Sequence, residues 1–239
     1  MTVRIGILET DQLYADLVED YQSYGWMFRR FFDALGGQFN YRHYHLLNGE
    51  WPERLDECDA WLITGSKSGV YDSEPWIAKL EQWIRHAYEQ RQRLLGVCFG
   101  HQLLAHSLGG HAGRSHRGWG IGVHTTRIEH RPLWLSDEQQ HIRLLYSHQD
   151  QVERLPREAR RLASSDFCPN AAFFIGDQVL GLQGHPEFTR DYLTRLLPRR
   201  VDSIGAEKLE RSFNGLGQPT DEERVGRWMI RFLTQPTSS

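Results

Sequence analysis

A cysteine and a histidine, each delivered at the end of an apolar run, are the starting material of nucleophilic catalysis. In Leu94-Leu95-Gly96-Val97-Cys98-Phe99-Gly100-His101-Gln102 an apolar run ends in Gly-x-Cys-x-Gly and passes straight into helix-compatible sequence. That is the pattern of a nucleophile elbow, in which two glycines let strand and helix approach around a strained turn that lifts out the cysteine. At a helix N-terminus the thiol feels the positive end of the helix dipole, which favours thiolate. The Phe99 N–H has no intrahelical partner there and is free to point at an oxyanion. The competing reading of Cys98 is a plain core thiol in a tight strand–helix connection.

The base comes late in the chain, in Val179-Leu180-Gly181-Leu182-Gln183-Gly184-His185-Pro186-Glu187. An apolar strand delivers His185 at its end, Pro186 stiffens the link, and Glu187 is placed to orient the imidazole and stabilise its charged form. Histidine suits the task because its ordinary pKa lies near neutral pH. Two other segments follow strands: Ile63-Thr64-Gly65-Ser66-Lys67-Ser68-Gly69, whose backbone N–H groups offer a second oxyanion donor, and Leu145-Tyr146-Ser147-His148-Gln149-Asp150, a polar cluster able to hold a substrate amine or carboxylate. Each also reads as an ordinary polar turn.

The elements that must carry these residues alternate short apolar runs with helical stretches, the pattern of a largely parallel sheet covered on both faces. Strands are expected at Arg4–Leu8, Phe39–Leu47, Ala60–Thr64 and Arg93–Val97. Helices are expected at Met27–Leu35, from Glu74-Pro75 onward, and at Phe99–Leu108 before Gly109-Gly110. Beyond them, Val123–Ile128, Arg143–Tyr146, Ala171–Ile175 and Val179–Gln183 read as shorter, partly antiparallel strands, and helices resume at about 188–197 and 221–233. A parallel sheet brings Gly65, Cys98 and His185 to one carboxyl edge, where open α/β sheets bind ligands.

Composition narrows the classes. The chain has 239 residues, 39% hydrophobic and 25% charged, with a formal net charge of -3, and this near-neutral balance argues against a nucleic-acid binder. No stretch approaches the roughly 18–20 apolar residues of a membrane span. The N-terminal residues lack a signal-peptide pattern, and three cysteines (Cys58, Cys98, Cys168) form no disulfide framework. A cytoplasmic globular protein is expected, with one domain over 1–233 and a loose tail at 234–239.

Gly96-Val97-Cys98-Phe99-Gly100-His101-Gln102, Ser147-His148-Gln149-Asp150 and His185-Pro186-Glu187, in this order, resemble the class I (triad) glutamine amidotransferases. The resemblance runs from about Ile5 to Phe188. It implies a flavodoxin-like α/β three-layer sandwich with a largely parallel central sheet and helices on both faces. It implies a Cys98–His185–Glu187 triad, an oxyanion hole from the Phe99 and Gly65 amides, and substrate contacts by Ser66, Gln102, Ser147 and His148. Thr64-Gly65-Ser66, Val70-Tyr71-Asp72, Trp76-Ile77, Gly109-Gly110 and Gly118-Trp119-Gly120-Ile121-Gly122 are most similar to the stand-alone branch related to the GMP synthase glutaminase, which includes γ-glutamyl peptidases. Synthase-type glutaminases usually carry a double glycine at the first oxyanion loop, whereas Thr64 precedes Gly65 here.

The expected activity is release of ammonia from the glutamine side-chain amide through a cysteinyl γ-glutamyl thioester. A γ-glutamyl peptidase and a non-catalytic binding module on the same fold are the alternatives. No synthetase domain is evident before Ser239, so an ammonia acceptor is expected on a separate synthetase subunit, or there is none. No cofactor is expected. His101, His106, His111 and His116 recur every five residues, but that step turns a helix by about 500°, leaving successive side chains about 140° apart and no expected metal site. Trp119 is a further candidate for the cleft wall, with a core position as the competing reading, and Arg154–Arg161 and Arg195–Arg200 read as solvated faces.

Overall fold

A computed structural model describes residues 2–235. Its strands, in chain order, are β1 (Val3–Glu9), β2 (Phe39–His45), β3 (Ala60–Ile63), β4 (Arg93–Val97), β5 (His111–Arg114), β6 (Gly120–Ile128), β7 (His141–His148), β8 (Asp150–Arg154), β9 (Arg160–Ser164), β10 (Ala172–Ile175) and β11 (Val179–Leu182). The α-helices are α1 (Val18–Tyr21), α2 (Tyr24–Ala34), α3 (Pro75–Glu89), α4 (Phe99–Ser107), α5 (Arg190–Leu196), α6 (Val201–Ile204), α7 (Ala206–Gly215) and α8 (Glu222–Thr234). The tail expected at 234–239 falls outside the described residues after Gln235.

Nine strands form one sheet in the order β2-β1-β3-β4-β11-β10-β9-β6-β7, and β5 pairs with β8 in a separate ribbon. From β2 to β11 every neighbouring pair is parallel. From β11 to β7 every pair is antiparallel. The sheet is therefore mixed, its first half built from crossover connections and its second from hairpins and short returns.

Period-two alternation divides the parallel strands between two apolar layers. Ile5, Ile7, Leu62, Leu95 and Val97 face one side, where Phe28 and Phe32 of α2 and Met229 and Phe232 of α8 cover them. Leu8, Trp61, Ile63 and Leu94 face the other, against Ile77, Leu80 and Ile84 of α3 and Leu103 and Leu104 of α4. A third cluster gathers Tyr21, Tyr24, Phe188, Tyr192, Leu193 and Leu197 near the end of β11.

Several elements depart from the sequence reading. β5, β8 and β9 have no apolar run to announce them. Arg160 and Arg161 belong to β9, between β10 and β6, where only Leu162, Ala163 and Ser164 are buried. Arg161 is not simply solvated, because it hydrogen-bonds Asn170 and pairs with Glu129. β7 extends through Ser147 and His148, so these two end a strand rather than begin a loop. Helices α6 and α7 are short and largely polar, α7 burying only Leu209.

Candidate active site

β4 ends at Val97, and Cys98 then adopts φ 54°, ψ -106° as the N-cap of α4. A positive φ on a side-chain-bearing residue stores about 1–3 kcal/mol of strain unless its surroundings hold it. Two backbone bonds hold it: the Cys98 N–H donates to the Leu182 carbonyl at 2.8 Å, and the Gln102 N–H donates to the Cys98 carbonyl at 3.0 Å. The flanking glycines permit the approach. A Cβ at Gly96 would lie 2.4 Å from the Gly100 carbonyl, and one at Gly100 would lie 2.3 Å from the Ile63 oxygen.

β11 lies parallel beside β4, with Leu182 in register with Val97, so both chains leave the sheet at the same edge. Three residues later the His185 N–H donates to the Leu145 carbonyl at 2.8 Å. The ring nitrogen Nδ1 is 2.8 Å from Glu187 Oε1, and both side chains are buried. Phe188 stacks on the imidazole, with centroids 3.8 Å apart and planes 8° apart. Tyr192 meets Phe188 edge-on, and its hydroxyl donates to that of Tyr24. Cys98 and His185 line the same small chamber. Burial alone pushes His185 toward its neutral form, but the charges of Glu187 and Cys98, with their hydrogen bonds, prevail and raise its pKa. The arrangement favours the protonated imidazole.

Gly65 closes the third side. A Cβ there would lie 3.2 Å from His185 Cε1 and 3.5 Å from Cys98 Cβ, so glycine brings this loop against the pair without pressing on the imidazole. Neither the Gly65 nor the Phe99 N–H donates to a protein acceptor among the described residues. The loop is pinned from β1: the Thr10 hydroxyl donates toward the Thr64 and Gly65 carbonyls, and the Thr10 N–H donates to Thr64 Oγ1. Thr64 is fully buried in this arrangement, so its side chain serves as a strut to β1 and leaves Gly65 facing the cysteine.

A cleft of about 410 Å³ opens over Cys98, and Ser66, Gln102, Ser147, His148 and Trp119 all line it. Gln102 Nε2 donates to the Asp150 carbonyl at 2.8 Å and to Gln183 Oε1 at 3.1 Å, so its amide nitrogen is committed to the protein. His148 is buried, with Nδ1 2.8 Å from the Asp150 carbonyl, and burial lowers its pKa to about 3, leaving the ring neutral. Ser147 Oγ accepts from Arg200 at 3.0 Å. Ser66 Oγ accepts the Ser68 N–H at 3.1 Å. His101 lies outside the cleft, fully buried against Phe173.

With that geometry in place, the family described as "Glutamine amidotransferase class-I" matches residues 16–199. The chain belongs to this family. Among relatives of the class I amidotransferase, Gamma-glutamyl peptidase 2 of Arabidopsis thaliana is 29% identical over 221 residues, 89% of each chain. Gamma-glutamyl peptidase 5 of the same plant is 30% identical over 189 residues, 76% of this chain and 75% of the relative. A GMP synthase [glutamine-hydrolyzing] of Porphyromonas gingivalis is 31% identical over 160 residues, 66% of this chain but 30% of that longer protein. A crystal structure of a glutamine amidotransferase from Thermotoga maritima shares the fold, with a TM-score of 0.76 at 23% identity over 98% of this chain and 96% of that one.

Four neighbours of the site escaped the sequence reading. Thr10 and Asp11 directly follow β1, so the rule that ligands gather at carboxyl edges of parallel strands would have pointed to them. Asp11 accepts the Lys67 N–H at 2.8 Å and pairs with Lys67 Nζ at 3.1 Å. Tyr14 lines the outer cleft. The fourth, Arg200, corrects the expectation of a solvated face over Arg195–Arg200. Arg195 pairs with Asp20 at 2.6 Å and Arg199 with Asp16, whereas Arg200 is half-buried in the cleft wall. The cause is a 3-10 turn at Leu197–Arg200, after α5, that carries the chain to Ser147.

Proposed function

We propose that this class I amidotransferase hydrolyses γ-glutamyl amides through a covalent intermediate on Cys98. The observation that carries the reading is that Cys98, Gly65 and His185 line one inner chamber, with His185 held by Glu187 and the Gly65 and Phe99 N–H groups without a protein acceptor among the described residues. The thiolate attacks the γ-carbonyl, forming an S–C bond, while the Gly65 and Phe99 amides hold the developing oxyanion. His185 gives its proton to the departing nitrogen as the C–N bond breaks, leaving a γ-glutamyl thioester. Water then attacks the thioester and loses a proton to His185. Glutamate leaves, the thiolate is restored and His185 is again imidazolium. Glu187 holds the imidazole in the required tautomer throughout.

For the leaving group, γ-glutamyl amino acids or peptides are the class we favour over free glutamine. The γ-glutamyl peptidases above match three quarters or more of this chain, and the cleft falls within the roughly 300–1,000 Å³ range of small-molecule sites. A second reading, ammonia release from glutamine to a separate synthetase subunit, is favoured by the likeness to the GMP synthase. Incubating the pure protein with glutamine and with γ-glutamyl dipeptides, while following free amine, ammonia and glutamate, separates the two. Mass spectrometry of a quenched reaction is expected to find the γ-glutamyl adduct on Cys98. Turnover that survives Cys98→Ala would overturn the covalent route through Cys98, and an unmodified Cys98 with no turnover of any substrate would leave the fold as a binding module.

A further inference from the structure

Three cationic side chains line the cleft among the described residues: Lys67, Arg114 and Arg200. Two already have acidic company. Lys67 pairs with Asp11 at 3.1 Å, and Arg114 lies in the field of Asp150. Arg200 has none, since no carboxylate of the described residues stands within ion-pair distance of its guanidinium. Its Nη1 donates to Ser147 Oγ, its Cζ lies 5.5 Å from the Trp119 ring centroid, and no acceptor among the described residues engages Nε or Nη2. A half-buried guanidinium fixed at one nitrogen and set over an indole face is pre-organised for a planar anion.

Its position says which anion. Arg200 also lines the small inner chamber with Cys98, Gly65, His185 and Phe188. His185 must face the departing nitrogen, so whatever that nitrogen carries extends along the wall that holds Arg200. Asp150, Asp72 and Tyr71 line the cleft but not that inner chamber, an acidic group suited to the α-ammonium of the glutamyl moiety.

We infer that Arg200 is a specificity residue that binds a free carboxylate on the leaving group, selecting γ-glutamyl amino acids and peptides over their neutral amides. This rests on the proposed hydrolysis and deepens it. The test compares a γ-glutamyl dipeptide bearing a free C-terminal carboxylate with the same compound as its carboxamide. For the wild-type protein, kcat/KM for the acid is expected to exceed that for the carboxamide by about 10- to 100-fold, the range of a charge-assisted hydrogen-bonded pair. Arg200→Gln is expected to collapse that ratio toward one, with the loss mainly in KM for the acid, and Arg200→Lys to restore part of it. Two results overturn the inference alone: equal wild-type cleavage of acid and carboxamide, or an Arg200→Gln variant that slows both alike and keeps the ratio. If no γ-glutamyl compound is cleaved at all, the proposed hydrolysis falls first.

Discussion

Cys98 holds a backbone geometry that no isolated cysteine would choose, and the strain is the means by which its sulfur reaches the cleft. A positive φ penalises any β-carbon, so Cys98→Gly removes both the thiol and the strain, whereas Cys98→Ala removes only the thiol. Both variants are expected to lose γ-glutamyl turnover. In urea titrations Cys98→Gly is expected to be more stable than Cys98→Ala by about 1 kcal/mol, and equal midpoints would show that the elbow is unstrained. Phe188 makes a second residue-scale case. It touches no reacting atom in the proposed mechanism, but its ring covers one face of the His185 imidazole. Phe188→Ala is expected to lower kcat about tenfold with little change in KM, because a loosened imidazole misplaces proton transfer. Phe188→Leu should recover part of the loss, and a drop in KM alone would speak against this role.

At the scale of elements, the site depends on how closely α4 approaches the strands beneath it. Gly100 sits against the Ile63 carbonyl, and its N–H donates to the Thr64 oxygen at 3.1 Å, joining the helix to the loop that carries Gly65. An added methyl has nowhere to go, because the obstructing atom is backbone. Gly100→Ala is expected to cost about 1–3 kcal/mol of stability and to push Gly65 away from Cys98, lowering kcat beyond what instability explains. A Gly100→Ala protein with wild-type melting and rate would show that this contact is loose. Helix α4, β4 and β11 were legible in the sequence because the two strands are short apolar runs and the helix follows one of them directly and stops before Gly109-Gly110. Strands β5, β8 and β9 were not, because polar and charged residues dominate them and their strand conformation comes from neighbours that supply the hydrogen bonds.

For the whole molecule, two fully buried histidines tie folding to pH. Burial holds both His101 and His148 down to about 3, against an ordinary value near 6.5. Between those limits the unfolded chain binds a proton at each ring that the folded chain refuses. The contribution of these two rings is therefore complete above about pH 6.5 and falls as pH drops toward 3, by about 1.4 kcal/mol per pH unit for each ring. Urea titrations at pH 7, 6 and 5 should show this decline, and a folded His148→Gln variant should flatten it by roughly one ring's share. A slope unchanged by that substitution would mean that His148 is not the group responsible.

The amino-acid order by itself determined the short-range features: a cysteine between glycines at a strand end, a histidine two residues before a glutamate, and the run of strands and helices that carries them. Those are local because an elbow, a helix start and a strand each span only a few residues. Tertiary structure decided what depends on distance across the chain. It placed Thr10 and Asp11 of the β1 edge against the Gly65 loop, laid Phe188 on the imidazole, and turned Arg200 from an arginine-rich stretch into the cleft wall. Charge and burial of such residues belong to the packed assembly, since only packing fixes which groups lie near one another and how much water reaches them.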